Sequence, residues 1–252
     1  MSDPGPGSFV WHDIECGAYR ADLALWRKLA TRSAPSGSSA GVLDIGCGTG
    51  RVSLDLARRG HALTALDRDP ALLAALEQRA SQARIEVKTV VGDARELDLG
   101  VEFDLVLAPM QFVQLLGGGA QRQGFLERVV RHLRPGGLFA AALMDLGDEP
   151  IDSDYRAPLP DTGEADGWAC SSLPVAIRTR DRGRSVVLER LRSAVSSAGD
   201  VLEHRDSVSL RLVPADQLER ECERAGLINA VRREIGATAD HVGSVVCVLE
   251  RP

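Results

Sequence analysis

Three carboxylates and three glycines are spaced so that they could hold a small charged molecule. Residues 42–52 read Val-Leu-Asp-Ile-Gly-Cys-Gly-Thr-Gly-Arg-Val. Glycines at 46, 48 and 50 permit positive φ and let a ligand approach the main chain closely. Leu54-Asp-Leu-Ala then begins at helical spacing, so the free N–H groups of a new helix should face the turn. The spacing G-x-G-x-G is one residue shorter than the pyrophosphate fingerprint G-x-G-x-x-G. Asp44, just ahead of it, would repel phosphates and attract an ammonium or sulfonium. The turn therefore suits an amino-acid tail carrying a cation. The same glycines would also serve a turn needed only to pack a helix on a sheet, and this stretch alone leaves both readings open. Cys47 is read as a small filler of the turn.

Further along, His61-Ala-Leu-Thr-Ala-Leu-Asp67 is a short apolar strand that again ends in an acid. Asp67 lies 17 residues beyond Gly50, near the spacing at which a carboxylate takes a ribose hydroxyl pair in nucleotide-binding α/β folds. Asp69 should cap the next helix, with Pro70 in its first turn and Leu72, Leu73, Leu76 and Ala80 as its core stripe. Ile85 to Val91 alternates and runs into Gly92-Asp93-Ala94. Phe103 to Pro109 is an apolar strand suited to a central parallel position. Gln121 to Leu133 forms a helix, and Leu138 to Met144 another buried strand. These five β–α repeats with short links predict a doubly wound α/β sheet, mostly parallel and seven-stranded once two last strands near the C-terminus are added.

The rhythm then changes. Residues 145–174 are polar, carry prolines 150, 158, 160 and 174, and show no period, which reads as a lid. Ser185–Val195 and Val201–Val213 alternate across a Ser-Ser-Ala-Gly-Asp turn, the pattern of an antiparallel hairpin. Pro214 to Gly226 is a helix with proline at its start and glycine after its end, and two strands, Val231–Ile235 and Val245–Glu250, follow. The expected division is a cofactor-binding core of residues 34–146 plus 214–252, an N-terminal helical cover of 1–33, and an inserted lid and β cap of 147–213.

Composition narrows the function classes. A formal net charge of −6 weighs against nucleic acid and anionic membrane as partners. Five cysteines at 16, 47, 170, 222 and 247 form neither C-x-x-C pairs nor Cys/His clusters, so no metal site or disulfide framework is expected. No apolar run reaches the ~18 residues of a membrane span, and the N-terminus lacks an apolar leader. A cytoplasmic monomer or homodimer is expected.

With these stretches in order, the chain resembles the class I S-adenosylmethionine-dependent methyltransferases, in the branch that acts on small molecules. The resemblance rests on residues 42–50, Ala65-Leu-Asp67, Gly92-Asp-Ala94, Phe103–Leu107 and Leu133-Arg-Pro-Gly-Gly-Leu138, and covers roughly residues 40–145. It implies a Rossmann-like methyltransferase fold with S-adenosyl-L-methionine as cofactor. Asp44 and the backbone at Gly46, Cys47, Gly48 and Gly50 would hold the methionine part, and Asp67 both ribose hydroxyls. Asp93 and the Ala94 N–H would meet the adenine, with Arg68 alongside. Ala108 and Met110 would border the methyl group, and Tyr19 would reach the cofactor's carboxylate.

Methyl transfer needs alignment, exclusion of water and at most the removal of one proton, so no nucleophile is required. His12, Glu15 and His204 are the base candidates, with His204 read as turned inward on its strand. Trp11, Gln111, Tyr155 and Trp168 are the candidate acceptor contacts. Ala108-Pro-Met-Gln111 departs from the Asn/Asp-Pro-Pro-aromatic tetrad of enzymes that methylate amide or exocyclic base nitrogens, which again disfavours nucleic acid. The competing readings are a cofactor-binding protein without transferase activity and an NAD-dependent oxidoreductase, the latter disfavoured by the glycine spacing and by Asp44.

Overall fold

The protein is described by a computed structural model covering residues 5–35, 38–144, 159–165, 167–238 and 241–252. Its contacts divide it into two units: Met1–Tyr19 with Leu146–Leu212, and Arg20–Asp145 with Val213–Pro252. Residues 20–33, expected with the N-terminal cover, fall in the second of these. None of the described helices is long and apolar enough to cross a membrane.

The second unit is a seven-stranded sheet. In chain order it is built from β1 (Gly41–Ile45), β2 (Ala62–Asp67), β3 (Lys88–Val91), β4 (Phe103–Ala108) and β5 (Leu133–Met144), joined later by β10 (Ile228–Ile235) and β11 (Ser244–Glu250). Across the sheet the order is β10-β11-β5-β4-β1-β2-β3. β1 runs parallel to β2 and to β4, and β4 to β5. Only β11 is antiparallel to both of its neighbours, β5 and β10. β4 is buried along its whole length, as a central strand covered on both faces must be.

Helices α2 (Leu23–Ser33), α3 (Arg51–Ala57), α4 (Pro70–Ala83), α5 (Phe112–Leu115), α6 (Gly119–Arg131) and α7 (Ala215–Ala225) belong to this unit. Asp69 caps α4 by accepting from the Ala71 N–H at 2.8 Å, and Gly226 ends α7 with φ +105°. The rhythm breaks once within the expected repeats. Between β3 and β4 there is only a 3₁₀ turn, Ala94–Glu96, because residues 92–102 hold no apolar stripe long enough for a helix. At the N-terminal edge of the sheet, Asp104 of β4 accepts from the Gly41 N–H at 2.7 Å and pairs with Arg134 at 2.7 Å, which ties β1, β4 and β5 together.

The first unit holds α1 (Ser8–His12), a π-helical turn at Asp13–Gly17, and a four-stranded antiparallel sheet in the order β6-β7-β8-β9. These strands are Asp161–Ala165, Trp168–Arg180, Ser185–Ser196 and Val201–Arg211. The expected hairpin is β8–β9. β6 and β7 fall in the stretch read as lid, where Pro174 hid the alternation by sitting next to a register shift in β7. Val10, Trp11, Trp168, Cys170 and Ala194 form the core of this unit.

Candidate cofactor site

Strands β2 and β3 lie to one side of β1, while β4 and β5 lie on the other. The sheet therefore reverses direction between β1 and β4, and in open α/β sheets the crevice at such a reversal receives the ligand. The glycine turn follows β1 directly at that point.

All three glycines take positive φ: +67° at Gly46, +56° at Gly48 and +89° at Gly50. A Cβ on Gly46 would also lie 2.4 Å from Cδ2 of Phe112. The Gly46 and Cys47 N–H groups donate to the Leu66 carbonyl at 2.8 and 3.1 Å. The Gly48 N–H donates to Asp67 Oδ2 at 2.9 Å, so the turn is fastened to the neighbouring strand. Asp67 Oδ1 accepts from the Asp69 N–H at 3.0 Å. A carboxylate offers about four lone-pair sites, so each oxygen keeps one for a further donor, enough for two hydroxyls. Cys47 is buried, and burial together with Asp44 and Asp67 pushes its thiol pKa far up, so it stays protonated and unreactive.

Asp44 is fully buried. Its Oδ2 accepts from the Ser53 hydroxyl at 2.6 Å, while Oδ1 has no partner. Burial lifts its pKa from 3.8 to about 6, against the Ser53 hydrogen bond and the charge of Arg51. An ionised, half-satisfied carboxylate in the interior is costly, and a cation reaching it offsets that cost. An unpaired acid, a tight glycine backbone and a second carboxylate with two open positions fit an amino-acid-bearing nucleoside.

Next to this turn lies a pair that the sequence reading missed. Arg51 is bidentate to Asp22 at 2.5 and 2.7 Å, and Asp22 also takes the indole N–H of Trp26 at 2.7 Å. Its available signal was the acid four residues before Trp26.

Asp93 meets its expected surroundings only in part. It caps the 3₁₀ turn by accepting from the Arg95 N–H at 2.9 Å, and its carboxylate is forked by the Arg95 guanidinium. Hydrogen bonding from Arg95 draws its pKa down to about 2. The group expected at the adenine amino position is thus already engaged by a neighbour that the sequence reading did not consider. Ala94 is buried, and Arg68 is exposed with its charge acting on Asp93. Ala108 is buried at the end of β4, Met110 follows Pro109 with φ +51°, and Gln111 precedes α5.

The other candidates lie in the first unit. Tyr19 donates its N–H to the Cys16 carbonyl there. Glu15, expected as a base, is instead paired: Arg192 contacts it at 2.7 and 2.9 Å and the Ser172 hydroxyl at 2.7 Å. Burial alone would raise its pKa, but those hydrogen bonds and the charge of Arg192 leave it below the ordinary 4.5, which makes it a weak base. His204 is exposed, because β9 is an edge strand, and its ring meets Trp11 edge-on at 5.8 Å. Trp11 and Trp168 are both packed into the core of that unit, His12 ends α1, and Tyr155 lies outside the described residues.

The model of the family described as "Methyltransferase domain" matches residues 42–137. Over these residues the chain is similar to methyltransferase domains. A cypemycin N-terminal methyltransferase from Streptomyces sp. is 36% identical over 107 residues, 42% of each chain. A ubiquinone biosynthesis O-methyltransferase from Azorhizobium caulinodans is 32% identical over 105 residues, 41% of this chain and 40% of its own. The matches thus span less than half the length of these curated relatives. Among solved structures, an amino pentose methyltransferase from Micromonospora echinaspora, solved with S-adenosylmethionine bound, covers all of both chains with a TM-score of 0.74 at 21% identity. That likeness extends the shared fold beyond residues 42–137 to the whole chain.

Proposed function

We propose that this protein transfers the methyl group of S-adenosyl-L-methionine to a nitrogen or oxygen of a small-molecule acceptor. The observation that carries the reading is Asp44, a buried acid with one bare oxygen beside a glycine turn at the sheet's reversal point, inside the stretch similar to methyltransferase domains. A relative named as an N-terminal methyltransferase and one named as an O-methyltransferase support both acceptor atoms.

Asp44 and the backbone of residues 46–50 hold the methionine part, Asp67 the ribose, and Asp93 with Ala94 the adenine. When bound there, S-adenosylmethionine supplies a methyl carbon already activated by its sulfonium. The chain's task is to align the acceptor and keep water out; Ala108 and Met110, at the end of β4, shape that boundary. Residues 34–146 with 214–252 serve the cofactor, and 147–213 serve acceptor selection. Five free cysteines suit a reducing, cytoplasmic setting, as a monomer or homodimer.

Titration calorimetry with S-adenosylmethionine tests the reading. Wild type should bind. Gly48→Asp, which sets a second carboxylate against Asp67, should lose binding with an unchanged circular dichroism spectrum, and unchanged affinity would overturn the assignment. Release of labelled methyl to a panel of amines and phenols separates a transferase from a protein that merely binds the cofactor.

A further inference from the structure

Gln114 of α5 is only 1% exposed. Its Oε1 accepts from the N–H of Met144, the last residue of β5, at 2.7 Å. That bond fixes the amide: the oxygen must face the Met144 donor, so Nε2 is directed elsewhere, and there it has no partner. Leaving a buried donor unsatisfied costs about 1–3 kcal/mol, and buried amides in native proteins are seldom left so.

The position of this donor gives it a use. α5 begins four residues after β4, and Phe112, two residues before Gln114, fills the space a side chain on Gly46 would need. α5 therefore reaches from the glycine turn, through Phe112, to the end of β5, through Gln114. The cofactor residues belong to β1 (Asp44), β2 (Asp67) and the turn after β3 (Asp93), while β4 and β5 lie on the opposite side of β1. The part of the ligand edge left to the second substrate is the β4–β5 part, where Gln114 stands.

We infer that Gln114 is a specificity-determining residue for the methyl acceptor, its Nε2 donating a hydrogen bond to a hydroxyl, ether or carbonyl oxygen of that molecule. The inference rests on the methyltransferase reading. An uncharged amide selects an oxygen-bearing acceptor without favouring anions. An analogue lacking that oxygen leaves the amide unpaired, and sites built to bind a polar group discriminate strongly against such analogues.

The test compares wild type, Gln114→Glu and Gln114→Met. Glutamate keeps an oxygen for Met144 and loses the donor; methionine loses both at similar size. S-adenosylmethionine affinity is measured by calorimetry, then methylation of D-glucosamine and of cyclohexylamine at saturating cofactor. The expected result is cofactor affinity within about twofold in all three proteins and a KM for glucosamine raised about tenfold or more in both variants. With kcat little changed, the wild-type preference for glucosamine over cyclohexylamine should then disappear. If Gln114→Glu proves unfolded by circular dichroism, Gln114→Met alone decides. A glucosamine KM unchanged in a folded variant would reduce Gln114 to a cap for β5 and overturn the inference, as would a cofactor-bound wild type that shows no preference for glucosamine. Failure of wild type to bind the cofactor would instead remove the reading beneath it.

Discussion

In the four-stranded unit, Glu15 receives the Arg192 fork and the Ser172 hydroxyl. In the seven-stranded unit, Asp44 receives one hydroxyl and keeps an oxygen bare. Both are carboxylates withdrawn from water, and desolvation pushes both pKa values up. The outcomes differ because Glu15 has a guanidinium within contact and Asp44 does not: one ends below its ordinary value, the other near 6. Nearby, Arg190 contacts Asp161 at 2.8 Å and Ser172 at 3.0 Å, and Arg192 also reaches Asp206 at 3.1 Å. Polar groups that satisfy one another in this way are part of the fold; Asp44, left wanting a partner, is the group we propose for the ligand.

The largest effect expected from breaking this contrast is at Glu15. Glu15→Ala leaves Arg192 half-buried without its main anion and should lower stability by about 3 kcal/mol, read as an earlier urea midpoint, with cofactor affinity unchanged. Because the folded pKa of Glu15 is depressed, its contribution is present above pH 4.5 and fades as the pH falls further; the variant should lose that acid limb.

At Asp44 the sign reverses. Its folded pKa is raised, so the folded state binds more protons than the unfolded chain between pH 3.8 and about 6, and stability falls as pH rises through that window. Asp44→Asn should remove the slope and raise stability at pH 7 by up to about 3 kcal/mol, while weakening S-adenosylmethionine binding by about tenfold or more. A variant that loses stability would show that the acid serves the fold. Calorimetry near pH 6 in buffers of different ionisation enthalpy should also detect proton release when the wild type binds cofactor.

The smallest effect belongs to Asp93, a carboxylate that is partly exposed and paired at once. Arg95→Ala should leave the melting temperature unchanged, since exposed pairs stabilise little. It should tighten cofactor binding by about two- to fivefold if Arg95 competes for Asp93. Weaker binding would mean that Arg95 orients Asp93 for the adenine.

The core was legible in the sequence because it is written in short-range signals. Val42 to Gly50 shows apolar run, acid and glycines in order, and Asp69-Pro70 announces a helix start; each needs only neighbouring residues to be read. The misses are pairings between distant residues. Asp22 finds Arg51 across 29 positions and Glu15 finds Arg192 across 177, and no local period encodes either. Gln114 was hidden for another reason: its meaning lies in one unpaired hydrogen-bond donor, which appears only when β5 is in place. β7 was missed because Pro174 interrupts its alternation.

The bond from Gly48 to Asp67 joins a loop on one strand to a carboxylate on the next, and this bears on how the chain is made. During synthesis the glycines emerge well before Asp67, so the nascent loop has its sequence but not its shape. Only docking of β2 against β1 gives the loop its staple. On the reading proposed above, a chain that ends before Asp67 lacks both this staple and the ribose ligand, so added S-adenosylmethionine should not bind it.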